Sequence, residues 1–524
     1  DPHSPRAARG RKQQVWPALA WGEAERAGWH FRGGALLIAN ARRYGRGGHV
    51  LTPDDPVDDR DHTRRALLLA AAAERPFGRG DLVTLSVGML KSDRSETLAG
   101  FSTHDFDGLG AGVTAAVQLA GTLAGEHRTS LSAGLDFATG ARTGRFASRQ
   151  PGLLLGSASA ESFRPVVTIG ERYTPSLHLE VEASLQMAYA SLSGSSEGEP
   201  GTAKLSRSFG TGILFAPHAR ATVRPLVGAR TLALHLVAQR TPAKLTLTPL
   251  MDATNGPRST LALPAHDALA LATELTSARW RFGLLGQVRR DVNVVEDRFA
   301  PATGQPELFA PSGAQRDLRS VTVDGEVRFS SVRVGAAAVW ARLFGNHSGA
   351  IDEATGRLRP WSTPAFDGAD VESNRTGRLP YDRPYGLRGY VVGRLVAGSG
   401  WSFSGLLRGQ LDAGTPLSAT GRSAASGDGQ VFLVPRGTVG RTRTHTSFDL
   451  ALKAARKLGA REGWLAFEVF GLAWRRPVTV RDPRFTDAIA TPVNASALDP
   501  GPGYGRALAY AEPLCLKLRL GVDF

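Results

Sequence analysis

Long apolar runs are missing from this 524-residue chain. The longest candidate, Ala66 to Ala73, has eight residues, where a membrane-crossing helix needs about 18 to 20. That excludes a helical membrane protein. It does not exclude a membrane barrel, whose strands need only about 9 to 11 residues with alternate ones facing lipid. Cysteine is almost absent as well. Cys515 stands alone, so there is no internal disulfide and no cysteine-based zinc site. No HExxH or CxxC motif and no phosphate-binding loop occurs. The 12 histidines are scattered. His62, His104, His266 and His445 each have an Asp or Thr nearby but no ligand spacing, and they are read as loop or lumen residues. No catalytic residue, no cofactor and no enzyme activity is expected.

Charge is plentiful. Lys plus Arg number 63 against 48 Asp plus Glu, a net charge of +15. The excess is spread along the chain, not gathered into a tail or patch, so solvated loops and a polar interior explain it better than a nucleic-acid partner. A basic interior would favour anionic solutes, and basic outer loops could meet lipopolysaccharide phosphates. Asp54, Asp55, Asp58, Asp59 and Asp61 form one acidic cluster in an expected loop. A solvated loop is its expected role, with calcium as the alternative because hard oxygen ligands suit that ion. The chain starts at Asp1 without a Met or an apolar leader, as expected of a processed, exported protein.

The dominant pattern has period two. At the C-terminus Leu514, Leu516, Leu518, Leu520, Val522 and Phe524 alternate with Cys515, Lys517, Arg519, Gly521 and Asp523. Successive side chains on a strand point to opposite faces, which gives this alternation. Leu177, Leu179, Val181, Ala183, Leu185, Met187 and Tyr189 alternate with His178, Glu180, Glu182, Ser184 and Gln186. Val321, Val323, Val327 and Phe329 alternate with Thr322, Asp324, Glu326 and Arg328. Charge at strand centres would be costly in a sandwich core but suits a barrel that is polar inside and lipid-covered outside. An aromatic last residue resembles the signal read by the outer-membrane assembly machinery, so Leu518, Leu520, Val522 and Phe524 are the expected assembly signal.

Connections in the second half alternate in length. Long ones span about 292–315, 345–382, 413–445 and 477–503; short ones fall near 277–279, 330–331, 397–399 and 457–460. Long loops outside and short turns in the periplasm is the rule for outer-membrane barrels. The expected fold is therefore an all-β transmembrane antiparallel barrel of about 20–22 strands, in a bacterial outer membrane, with its C-terminus in the periplasm. Residues 1–26 are expected to be an N-terminal periplasmic or lumenal segment, and 27–524 the barrel.

From about residue 320 onward, motifs recur in a family's order. They are Val339-Trp340-Ala341-Arg342-Leu343-Phe344-Gly345-Asn346, Gly377-Arg378-Leu379-Pro380-Tyr381-Asp382-Arg383-Pro384, and Gly400-Trp401 with Gly414-Thr415-Pro416-Leu417-Ser418. Pro435-Arg436-Gly437, Gly440-Arg441 and Phe448-Asp449-Leu450 follow, then Tyr504-Gly505-Arg506-Ala507. This half resembles the barrel of TonB-dependent receptors, of the type that usually carries a carboxypeptidase-regulatory-like domain. The resemblance implies a lumen that must be filled, since barrels this wide normally hold a plug. No plug motif or TonB box is recognisable in the chain. The resemblance therefore implies movement of a solute or peptide with the plug missing or supplied by another chain. The alternative is a plugless, receptor-derived barrel serving as a structural subunit of a larger cell-envelope complex. The expected partners are outer-membrane lipid and lipopolysaccharide, the assembly machinery, and other envelope subunits filling the lumen.

Overall fold

A computed structural model describes residues 12–44, 60–78, 80–98, 102–122, 125–146, 154–197, 205–210, 213–227, 230–242, 256–257, 264–299, 306–311, 313–349, 374–396, 400–422, 430–459, 461–472, 478–481, 484–489, 499–502, 504–510 and 514–523. These residues form strands and connections, and none is helical. One antiparallel sheet holds 23 strand segments. Each stave pairs with the next along the chain, the up-and-down order of a barrel wall. Two of its staves are interrupted. Leu179–Ala188 and Ser191–Glu197 both pair with the strand Leu154–Ser176, and Leu205–Gly210 and Leu214–Val223 continue the next stave in the same way. The architecture expected from the sequence is the one found.

One face of the wall carries the apolar members of the period-two strands. Across paired strands Leu236, Leu271, Gly286, Val321, Trp340 and Tyr385 share this outward face, as do Leu407, Leu450 and, further along, Leu465 and Leu520. The polar members line the inward face.

Tight turns gather at one end. Arg26 pairs with Trp29 across Ala27 and Gly28, which both take positive φ (53° and 77°). That pair of signs defines the two-residue hairpin whose twist matches the flanking strands. Residues 277–279 and 329–331 also make short turns at the same end, where Leu458 pairs with Arg461. The long connections gather at the other end, and they are not bare loops. They carry small sheets of their own: Glu296–Phe299 with Pro306–Phe309, Pro416–Leu417 with Gly440–Arg441, Thr420–Arg422 with Gln430–Phe432, and Val478–Arg481 with Ala507–Tyr510.

The N-terminal boundary needs correction. Lys12–Arg26, assigned from sequence to a separate N-terminal segment, is a strand paired along its full length with 29–43. Over residues 18–24 its outward side bears the small residues Ala18, Ala20, Gly22 and Ala24, so the apolar half of the alternation is muted there.

Candidate functional site

The lumen wall and the base of the long connections hold the chemistry. On the inward face, arginines and acids pair from strand to strand. Glu180 is buried between Arg172 (2.8 Å) and Arg224 (3.1 Å). Arg281 reaches Asp324 at 3.0 Å, and Glu326 takes Arg328 at 2.6 Å together with the Tyr390 hydroxyl. The Tyr390 ring lies where a Cβ on Gly335 would stand, so glycine is needed there. Lys453 sits over the Trp464 ring, and Arg519 pairs with Glu468. Arg388 and Arg408 also face inward, and among the described residues neither has a carboxylate at ion-pair distance. A lumen lined this way is wet and basic.

The inner wall changes character near the first strand. Leu19, Trp21, Leu36, Leu68 and Leu90 point inward there, flanked by the Arg32–Glu74 pair at 2.6 Å. Leu19 is 73% exposed and Trp21 58%. Large apolar side chains thus face a lumen that elsewhere is ionic.

Under the long connections lies a buried ionic node. Arg316 and Asp291, each 2% exposed, form an ion pair, and Arg289 Nε stands 2.9 Å from Asp291. Arg316 Nη1 also donates to the Ser348 carbonyl at 3.1 Å. Arg375 and Arg436 both donate to the Asn346 carbonyl (3.0 and 3.2 Å), and Arg436 reaches the Ser348 hydroxyl. Glu296 is buried and accepts the Gly349 N–H at 2.8 Å. Burial pushes its carboxyl above the usual range, partly opposed by that N–H and by Arg436, Arg375 and Arg316. Burial lowers Arg436 to about 10 and, with Arg375 and Arg436 nearby, lowers His347 to about 3. Next to the node, Asp382 takes Arg441 and accepts the Leu343 N–H at 2.6 Å, while Arg383 reaches Asp412 at 3.1 Å. The sequence motifs therefore converge. Asn346, Asp382, Arg383, Arg436 and Arg441 are read from scattered strings but meet in one place. Gly377 and Gly414 are glycines because a Cβ would strike the carbonyls of Arg436 and Thr442. Glu296, Asp291, Arg316 and Arg375 have no motif. The apolar pair Val294-Val295 beside Glu296, both buried, was the only local hint of burial in that connection.

The expected site residues fare differently. Leu518, Leu520 and Val522 lie on the outward face of Cys515–Asp523, paired with Phe467, Leu465 and Gly463. Among the described residues this strand has no partner on its other edge, and Leu520 is 82% exposed. Phe524 lies outside the described residues, as do Asp54, Asp55, Asp58 and Asp59. Asp61 lies in the strand Arg60–Phe77, opposite Arg43 and Thr97. Among the described residues no three His, Cys, Asp or Glu side chains form a metal-binding group. A Gly-x-Ser-x-Gly string occurs at Gly194 to Gly198. Its serines lie in an extended, paired strand, with Ser195 Oγ 2.9 Å from Ser159 Oγ. The hydrolase motif needs a sharp strand-to-helix turn.

Comparison with solved structures gives the same wall repeatedly. The siderophore receptor PiuA from Acinetobacter baumannii superposes with a TM-score of 0.64 at 8% identity, over 99% of this chain and 75% of that one. The ferric citrate transporter FecA gives 0.63 at 9%, over 98% and 70%. BauA, the ferric preacinetobactin receptor of A. baumannii, gives 0.60 at 8%, over 98% and 72%. The fold is that of a TonB-dependent receptor barrel. By sequence, the TonB-dependent transporter Oar of Myxococcus xanthus is 34% identical over 116 residues, 21% of this chain. That match spans only 10% of the Oar protein. No family model matches. The proteins this barrel resembles are receptors and transporters, not enzymes.

Proposed function

We propose that the barrel moves an anionic solute or peptide across the outer membrane, around a body that fills its lumen. The long connections face the outside and the C-terminus lies in the periplasm. The apolar inner wall at Leu19, Trp21, Leu36, Leu68 and Leu90 carries the reading. Apolar side chains of that size left facing water would forfeit about 1.5–3 kcal/mol each relative to burial, so the wall is suited to a packed partner surface. Such a body, a plug, belongs either to the same polypeptide or to another chain. The basic lumen wall, with Arg388 and Arg408 unpaired among the described residues, favours negative charge in transit.

The test is conductance in planar bilayers of the protein purified from native membranes. A filled lumen gives little current, and a Leu19→Asp/Trp21→Asp variant leaks. A wide, steady conductance from the wild-type protein would overturn the filled lumen. Closed barrels that co-isolate with fixed envelope subunits, and show no solute uptake in vesicles, would instead favour a structural subunit of an envelope complex. An epitope tag in the connection between Asp412 and His445 should be reached by antibody on intact cells; labelling only after lysis would reverse the orientation.

A further inference from the structure

The outward face has a feature that transport does not use. Four strands, Ala265–Thr276, Trp280–Val292, Arg316–Arg328 and Val332–Gly345, lie side by side. At their centre Gly286 leaves a depression. A Cβ built on it would meet nothing closer than the Leu271 carbonyl, 4.0 Å away. Leu269, Leu271, Val288, Val321 and Trp340 wall this groove, whose volume is about 710 Å³. All of them share the outward, lipid-facing side.

Toward the long-connection end the groove is capped by Arg319 and Arg342. These two are direct cross-strand partners on one face. Like charges placed so are destabilising unless something lies between them. The neighbouring outward charges are already matched. Asp317 holds Arg290 at 3.0 Å and Asp267 holds Arg240 at 2.6 Å. Among the described residues no carboxylate lies at ion-pair distance from Arg319 or Arg342, and Arg342 rests on the Phe344 ring at 4.8 Å. Two guanidiniums at the edge of an apolar groove match one kind of ligand: an acyl chain ending in a phosphate. Arginine forks suit phosphate oxygens, and the Trp340 ring marks the height where chains meet headgroups.

We infer that the groove over Gly286 is a specific binding site for a phosphorylated, acylated lipid, with the chain along Leu271 and Val321 and the phosphate between Arg319 and Arg342. Given the proposed orientation, this lipid is the phosphorylated glycolipid of the outer leaflet. The site itself does not depend on orientation, which the epitope experiment decides separately.

The test is native mass spectrometry of the full protein in mild detergent, titrated with hexa-acylated bisphosphorylated lipid A and with its phosphate-free counterpart. The wild type should retain the phosphorylated lipid about tenfold or more tightly than the phosphate-free one. Arg319→Gln/Arg342→Gln should abolish that preference, and Gly286→Leu should weaken both lipids by filling the groove. Heat-modifiable gel mobility verifies that each variant is folded; if the double variant is not, Arg342→Gln alone should halve the preference or more. Unchanged retention by folded Arg319→Gln/Arg342→Gln would overturn the site. So would equal competition by millimolar inorganic phosphate, since the acyl groove would then contribute nothing.

Discussion

The two halves of the barrel build their long-connection ends differently. In the first half the strands themselves run long, up to the 23 residues of Leu154–Ser176, and after the connection 45–59 the joins at that end are residues 99–101, 147–153 and 198–204. In the second half the wall strands are 12 to 14 residues, with 9 in the last, Cys515–Asp523, and the connections between them fold into small sheets beside the ionic node. A strand needs only about 9 to 11 residues to cross the bilayer, so the first half extends its wall beyond the membrane through backbone ladders. The second half does so through side-chain chemistry. Ladders tolerate sequence drift, because any residue supplies the backbone groups. A buried Arg–Asp–Glu node does not. Of the residues that meet there, the motif-borne Asn346, Asp382, Arg436 and Arg441 all lie after residue 320, while Asp291, Glu296 and Arg316 carry no motif.

The comparison can be broken by substitution. Arg316→Ala should cause the largest loss, about 3–5 kcal/mol, because it strands Asp291 as a buried charge; the measure is urea unfolding of the folded barrel in detergent. A small change would mean that water enters the node. Leu465→Arg, on the outward face, should cost about 2–4 kcal/mol near mid-membrane, whereas an inward substitution such as Arg408→Leu should cost little. Equal costs would contradict the assignment of faces.

The pH response of the node should be smaller. His347 is neutral when the node is closed, with its pKa lowered from 6.5 to about 3. The opened node binds a proton below 6.5, so this group's contribution to stability is lost as pH falls from 6.5 toward 3, by about 1.4 kcal/mol per unit. Glu296 acts in the opposite direction. Its raised pKa lets the closed node hold a proton the opened one releases, so its contribution falls as pH rises from 4.5 through the raised value. The His347 part is therefore the difference between wild type and His347→Asn in hydrogen exchange of the Asn346–Gly349 segment, at pH 6.5 and 5.5. No difference would show that His347 protonates inside the closed node. The smallest effect on stability is expected from removing Phe524; its expected effect is impaired insertion by the assembly machinery, and normal insertion would refute the signal assigned to it.

Much of this fold is legible in the sequence because a barrel repeats one simple rule. Val321, Val323 and Val327 against Asp324, Glu326 and Arg328 give the faces, and the turn residues give the ends. The first strand is hard to read because its outward residues over 18–24 are alanines and glycine, while Leu19 and Trp21 face inward. The node is not legible because its partners are far apart in the chain. Arg436 and Asn346 are 90 residues apart and meet only once the connections fold. The small sheets within the connections were hidden for the same reason, since pairings of two to four residues leave no periodicity to read.

The claim that the apolar inner wall is covered can be measured directly. Place a single cysteine at Leu19 in a Cys515→Ser background, in native outer membranes, and time its reaction with a small water-soluble maleimide. A covered wall predicts slow labelling that becomes fast in urea concentrations too low to unfold the barrel. Fast labelling in untreated membranes would mean that the wall faces open water and that the lumen is empty.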